Sequence, residues 1–257
     1  MLTVVKIGGN VIDSPDALQT FLTAFAKLEG EKVLVHGGGK LATRLCERLG
    51  IETRMVEGRR ITDAATLDVA TMVYAGLTNK RIVAGLAARG LRAVGLCGAD
   101  ACAVRSVRRS PVPIDFGFVG DIPVDGVDAA FILSLTQQGI VPVFCAITHD
   151  GQGQLLNTNA DSIASAIATA LAQRQPTELV FCFEKNGVLQ NIDDTTSVIP
   201  RITRADFARL KAEGVVAAGM LPKINNALAA VDSGVARVII KSAEALCEKE
   251  AGTMVVG

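Results

Sequence analysis

The chain has 257 residues, 49% of them apolar, with 26 Lys plus Arg against 26 Asp plus Glu. This length and apolar share predict one large α/β domain or two lobes around a substantial core and exclude a disordered chain. A formal charge of zero, a single Tyr and no Trp argue against a nucleic-acid groove, a base-stacking platform or a membrane-surface patch.

Strands and helices alternate along the chain. A strand over Leu2–Ile7 runs straight into Gly8-Gly9. Ser14-Pro15-Asp16 reads as N-cap and first turn of a helix, with Leu18, Phe21, Leu22, Phe25 and Leu28 on its apolar face and Gly30 closing it. A strand over Lys32–Val35 leads into His36-Gly37-Gly38-Gly39-Lys40 and a helix marked by Leu41, Leu45 and Leu49. A long helix is predicted over Ala64–Arg89, then a strand over Leu91–Leu96. Short strands are expected near Val104 and over Ile114–Val119, with Arg108-Arg109 exposed between them.

A helix over Val127–Gln138, a strand over Ile140–Ile147 and an Ala-rich buried helix from Asn159 to Ala172 come next. Arg174-Gln175-Pro176-Thr177 is the best linker, dividing the chain into 1–173 and 174–257. The second unit carries a strand (Glu178–Phe183), helices (Arg204–Glu213 and Lys223–Asp232), a strand (Ala236–Ile240), a short helix (Ala243–Lys249) and a last strand (Thr253–Val256). Repeated βα units of this kind predict an α/β fold, a three-layer α-β-α sandwich with a largely parallel central sheet.

Six Cys without a C-x-x-C pair and only two His argue against a zinc site, and no metal ligand set is read from the chain. Cys145 and Cys182 fall in apolar strands, as reduced core thiols of a cytoplasmic protein do. There is no secretory leader pattern and no apolar run long enough to cross a membrane.

Two glycine-rich strand ends stand out. Glycine lets backbone N–H groups approach an anion closely, and Lys6 adds a positive charge at the end of an otherwise apolar strand. Gly37-Gly38-Gly39 repeats the device. Through Ala42 it also fits G-x-G-x-x-A, a dinucleotide fingerprint and the mark of an NAD(P)-dependent oxidoreductase. Against that, it follows the second strand, and no ribose-binding carboxylate ends the next one. Gly39-Lys40-Leu41 is not a Walker sequence. Arg60 is either a solvated arginine or a two-pronged clamp for a carboxylate. Asn157-Thr158-Asn159-Ala160-Asp161 suits a helix cap, but Asp161 at the mouth of a buried helix calls for a cation. Lys223, at a helix start where a cation is disfavoured, is either a surface lysine or aimed at an external anion.

Together these segments resemble the amino-acid kinase family and, within it, the N-acetyl-L-glutamate kinase subfamily. The resemblance rests on K-I-G-G-N at 6–10, H-G-G-G at 36–39, G-R-R-I-T at 58–62, G-L-T-N-K at 76–80, G-F-V-G at 117–120, L-N-T-N-A-D at 156–161, G-M-L-P-K at 219–223 and G-T-M-V at 252–255, in that order and nearly end to end. It implies transfer of the ATP γ-phosphoryl group to the side-chain carboxylate of an N-acylated glutamate. The acyl group it implies would be acetyl, with succinyl or another acyl group as the alternative.

Lys6 would stabilise the transferring phosphoryl group, Lys223 the leaving side, and Asp161 would orient both. Gly8 and Gly9 would donate N–H groups. Gly38, Gly39, Arg60, Asn157 and Asn159 would hold the acylglutamate, with Arg60 on its α-carboxylate. ATP, carrying its own Mg²⁺, would lie on Glu184, Lys185, Asn186, Gly187, Val188 and Leu189 and on Val215, Val216 and Ala217. Glu184 stands where relatives have Ser-Asp or Thr-Asp. Residues 1–173 would form the acylglutamate-binding and dimerisation lobe, and 174–257 the ATP lobe. Without the additional N-terminal helix of arginine-inhibited hexameric relatives, a homodimer free of arginine feedback is expected.

Overall fold

The computed structural model describes residues 1–56, 59–191, 193–215 and 220–257. The first half comprises β1 (Leu2–Ile7), α1 (Gly9–Asp13), α2 (Pro15–Lys27), β2 (Lys32–His36), α3 (Gly39–Arg48), β3 (Met55–Val56), β4 (Arg59–Arg60), α4 (Ala64–Thr71), α5 (Asn79–Ala87), β5 (Arg92–Leu96), β6 (Val107–Arg108) and β7 (Gly120–Asp121). The second comprises α6 (Ala129–Thr136), β8 (Ile140–Cys145), β9 (Ile147–His149), β10 (Leu155–Asn157), α7 (Ala160–Ala172), β11 (Thr177–Phe183), β12 (Arg201–Ile202), α8 (Arg204–Ala212), α9 (Leu221–Asp232), β13 (Arg237–Ser242) and β14 (Thr253–Val255).

One sheet carries the order β12-β14-β13-β11-β1-β2-β8-β5. The strands from β13 to β5 are parallel, whereas β14 runs antiparallel to β13 and carries β12 parallel to itself. This is the predicted largely parallel sheet. Side chains alternate across it with a period of two. Leu2 and Val4 enter one core with α3, α4, α6, α7 and α9, and Val5 and Ile7 enter another with Phe21, Leu22 and Phe25 of α2 and Ile82 and Leu86 of α5. Each such side chain, once buried, contributes roughly 1.5–3 kcal/mol, so burial on both faces holds the central strands between two helical layers. The sheet continues through the predicted linker, because β11 pairs with β1 from Leu2↔Thr177 to Ile7↔Cys182.

Several local expectations change. Gly8-Gly9 opens a short helix, α1, rather than a bare turn. The long helix over 64–89 widens into π-helical turns at Met72–Thr78, between α4 and α5. The strand expected over 140–147 ends at Cys145, and Ile147–His149 instead forms a hairpin with Leu155–Asn157. Around 114–119 there are single bridges, Thr62↔Gly117 and Val119↔Asn157, instead of a strand. Gly117 has φ +73°, and a Cβ there would lie 2.2 Å from the Thr62 carbonyl oxygen, so this close approach requires glycine.

The helix expected at 243–249 is a series of turns. Buried Lys241 explains this, since its Nζ donates to the carbonyls of Ala245 (3.3 Å) and Glu248 (2.6 Å), pulling them away from a helical ladder. Helix α9 starts at Leu221, two residues before Lys223.

Candidate active site

The parallel strands end at a common edge. Ile7 of β1 is level with His36 of β2 and Cys182 of β11, and His36 with Cys145 of β8. In open α/β sheets, ligands bind at such carboxyl ends.

Lys6 shares its face of β1 with Leu2 and Val4 and points at α7. Its Nζ lies 2.6 Å from Asp161 Oδ1, a close ion pair without hydrogen-bond alignment. Lys223 Nζ, from the first turn of α9, donates to Asp161 Oδ2 at 3.2 Å and sits 6.0 Å from the centre of the Phe183 ring. Asp161 is in the first turn of α7, where the helix dipole favours a carboxylate. Burial on its own would raise its pKa. The charges of Lys6 and then Lys223, with the hydrogen bond from Lys223, outweigh this and hold the carboxyl below its ordinary value. The predicted grouping of Lys6, Asp161 and Lys223 is thus present in space.

The glycine segments need one correction. The Gly8 N–H donates to the Cys182 carbonyl at 2.8 Å, so it is closed to a ligand. The donors left are the first N–H groups of α1, from Gly9 onward, which have no intrahelical partner. A Cβ at Gly9 would meet nothing within 4 Å, whereas one at Gly38 would lie 2.9 Å from Tyr74 Cδ1. Gly38 caps α3, whose N-terminus also lacks a side-chain cap. His36 beneath it is fully buried and held neutral, its pKa lowered to about 4 by desolvation. Its ring contacts the Gly37 carbonyl (2.7 Å) through Nδ1 and Asn79 Nδ2 (3.0 Å) through Nε2.

A cavity of about 210 Å³ opens beside these elements, lined by Gly37–Gly39, Arg60, Tyr74, Arg109, Val119 and Asn157–Ala160, among others. Arg60, 8% exposed, donates through Nη2 to the Gly39 carbonyl (2.9 Å) and to Thr43 Oγ1 (2.7 Å). Its acceptors are neutral, and among the described residues no carboxylate forms an ion pair with it. A buried guanidinium in that position favours an incoming anion. Asn157 Nδ2 donates to Thr62 Oγ1 at 3.0 Å, and Asn159 caps α7 by accepting from the N–H groups of Asp161 and Ser162. The cavity therefore brings together Gly38, Gly39, Arg60, Asn157 and Asn159, all expected from the sequence.

Two residues of this cavity escape the sequence reading. Tyr74, the single tyrosine, lies inside the long helical pattern and is turned toward Gly38 by the π-helical turns. Burial raises its pKa against the opposing influence of Arg60. Arg109 is expected on the surface but lines the cavity. Its signal is weak, since only the tertiary register separates it from Arg108, which is exposed and lies 5.0 Å from the Phe118 ring centre.

The second predicted group follows β11 at the same sheet edge. Glu184 and Asn186 are exposed, while Val188 is a core side chain whose N–H donates to Thr253 Oγ1 at 2.8 Å. A Cβ on Gly187 would lie 2.8 Å from the same hydroxyl. Gly187 and Val188 thus anchor the loop, leaving Glu184, Lys185, Asn186 and Leu189 as its less buried members. Val215 packs against the core. Val216, Ala217 and Gly219, like Glu57 and Gly58, lie outside the described residues. Among the described residues no group of three or more His, Cys, Asp or Glu could hold a metal ion, and Asp161 is engaged by two lysines.

Fixed cations, a carboxylate that aligns two of them and uncapped helix starts define an α/β protein built to handle small oxyanions at the carboxyl edge of its sheet. Residues 1–242 match the model of the "Amino acid kinase family". A protein of Phocaeicola vulgatus named acetylglutamate kinase is 52% identical over 96% of this chain and 95% of its own length. One of the same name from Cytophaga hutchinsonii is 49% identical over 99% and 98%. Among solved structures, smu.665 from Streptococcus mutans UA159 superposes with a TM-score of 0.78 at 25% identity, covering 99% of this chain and 98% of the other. The chain belongs to the amino acid kinase family.

Proposed function

We propose that this protein is a kinase that transfers the γ-phosphoryl group of ATP to the γ-carboxylate of N-acetyl-L-glutamate, giving N-acetyl-L-glutamyl 5-phosphate as a step of arginine biosynthesis. The observation that carries this reading is Asp161 bridging Lys6 and Lys223 beside the cavity that contains Arg60. The names of the relatives at about half identity point to the same acceptor.

The chemistry follows from charge. A glutamate γ-carboxylate, with a pKa of about 4.3, is already an anionic nucleophile at neutral pH. No general base is required, and the described cavity lining has no carboxylate or imidazole to serve as one. The barrier is an anion approaching a polyanion. One carboxylate oxygen forms a bond to the γ-phosphorus while the bond from that phosphorus to the bridging oxygen of ADP breaks. ADP leaves with the electron pair, and no proton moves. Lys6 stabilises the transferring group and Lys223 the leaving side, and Asp161 keeps both ammoniums directed at the reaction axis. Helix α1, from Gly9 onward, and α3, at Gly38-Gly39, direct N–H groups toward the phosphoryl and acceptor oxygens. Arg60 takes the α-carboxylate, and Asn157 and Asn159 hold the acylglutamate.

The nucleotide lies on the less buried residues of the loop after β11, at 184–189, and on 215–217. Mg²⁺ arrives on ATP. Residues 1–173 serve as the acceptor-binding and dimerisation lobe and 174–257 as the ATP lobe of a cytoplasmic homodimer. All six cysteines are unpaired, as in a reducing compartment, and no helix among the described residues is long and apolar enough to cross a membrane. A coupled ADP-release assay with N-acetyl-L-glutamate, N-succinyl-L-glutamate and free glutamate tests the reading. Turnover that requires an N-acylated glutamate is expected. Absence of turnover with every acylglutamate overturns it.

A further inference from the structure

Arg109 lines the same cavity as Arg60 but makes a separate set of contacts. Its Nε donates to Asp121 Oδ2 at 3.0 Å, and its Nη2 pairs with Asp121 Oδ1. The Phe116 ring centre lies 5.4 Å from its guanidinium carbon. These contacts hold the fork and leave one terminus over. That terminus, Nη1, is buried and has no hydrogen-bond partner among the described residues. A buried N–H of a charged group without an acceptor is costly, and Arg109 lines the cavity.

The strip that carries Arg109 is tied to the strip that carries Arg60. Thr62 N–H donates to the Phe116 carbonyl at 2.9 Å, Phe118 N–H to the Thr62 carbonyl at 2.7 Å, and Arg109 N–H to the Val119 carbonyl at 2.8 Å. The two guanidiniums are nevertheless anchored on different supports. Arg60 hangs from Gly39 and Thr43 of α3, and Arg109 from Asp121 of β7. No Asp or Glu is among the described lining residues.

We propose that Arg109 is a substrate-contacting residue whose guanidinium, shifting about its Asp121 anchor so that the buried Nη1 reaches the cavity, donates to an oxygen of the acyl group on the amino nitrogen of the acceptor. This rests on the reading that the cavity holds an N-acylated glutamate. With the γ-carboxylate at the phosphoryl group and the α-carboxylate on Arg60, the acyl substituent is the part of the acceptor still needing a donor. Either its carbonyl or a terminal carboxylate satisfies the Nη1–H. The Asp121 pair raises the Arg109 pKa against the opposing effect of burial, so the donor persists at every working pH.

The test measures kcat and KM for N-acetyl- and N-succinyl-L-glutamate, and KM for ATP, in the full-length protein and in Arg109→Met, Arg109→Lys and Asp121→Asn. Arg109→Met is expected to raise KM for the acyl substrate by about tenfold or more, the consequence of losing a charged hydrogen-bond donor, with KM for ATP unchanged. Asp121→Asn, which loosens the anchor but keeps the donor, is expected to do less. A larger effect on the succinyl than on the acetyl substrate assigns the acceptor as a terminal carboxylate, and equal effects assign it as the carbonyl. KM values within about twofold of the unaltered protein for both substrates overturn the inference. So does an Asp121→Asn variant that reproduces the whole effect, because Arg109 would then only position the β6–β7 ribbon. If Arg109→Met does not fold, Arg109→Lys decides by the same KM criterion. An unaltered protein inactive on every acylglutamate fails the functional reading itself, whereas an active one with silent Arg109 variants fails only this inference.

Discussion

Lys6 Nζ lies 2.6 Å from Asp161 Oδ1, although one residue is next to last in the first strand and the other sits in the first turn of the helix that follows β10. With Lys223 on the second oxygen at 3.2 Å, the carboxylate fixes the direction of two ammoniums that would otherwise repel each other. Asp161→Asn keeps the volume and removes the charge. A fall in kcat of about a hundredfold or more is expected, with KM for ATP changed by only a few-fold, read by steady-state ADP release. A variant with unaltered kcat would remove Asp161 from the mechanism.

Arg60 grips two acceptors through one nitrogen, so charge alone does not describe it. Arg60→Lys retains the cation but cannot bond the Gly39 carbonyl and Thr43 Oγ1 while offering a planar fork to a carboxylate. KM for the acyl substrate is expected to rise by about 10- to 100-fold, more than kcat falls. Initial-rate kinetics at saturating ATP give both values.

Gly38 faces Tyr74 across a gap with no room for a methyl group, since its Cβ would lie 2.9 Å from Cδ1. Gly38→Ala is expected to displace the ring and the loop together, weakening the acyl substrate and lowering stability by about 1–3 kcal/mol. Chemical denaturation alongside kinetics checks this. Gly39→Ala, at a position where a Cβ meets nothing within 4 Å, is expected to leave stability nearly unchanged.

His36 supplies a pH signature. Its pKa is about 4 in the folded protein, lowered by burial from an ordinary 6.5. Between those values the unfolded chain binds a proton that the native state excludes, so stability declines as pH falls from 6.5 toward 4. The loss reaches roughly 3 kcal/mol at 1.36 kcal/mol per pH unit. Asp161 acts in a lower window. Its depressed pKa contributes stability that is present above the unfolded carboxyl value and is lost as pH falls through the folded one. Urea midpoints from pH 7.5 to 4.5 are expected to fall for the unaltered protein and to flatten for His36→Gln.

The alternation of strands and helices, the two-sided sheet and Lys6 and Asp161 as separate candidates were legible without coordinates, whereas the grouping of these two with Lys223 came from the resemblance to a family. Each has a local cause: an apolar run ended by glycines, a lysine with no reason to sit in a buried strand, a carboxylate in the first turn of an apolar helix. Departures occurred where a distant segment competes for a backbone group or a side chain. Gly8 yields its N–H to Cys182, Lys241 takes the carbonyls that would have closed a helix, and Gly117 packs onto Thr62.

The sequence by itself determined which charges this protein carries and that glycine-rich strand ends would present N–H groups beside them. Tertiary structure alone decided which of those groups remain free for a ligand, that Arg109 rather than Arg108 turns inward, and that π-helical turns aim Tyr74 at Gly38. The physical reason is range. Capping, turn chemistry and burial periodicity act over a few residues, whereas the partner of a buried polar group is set by whichever remote segment the packed layers bring against it.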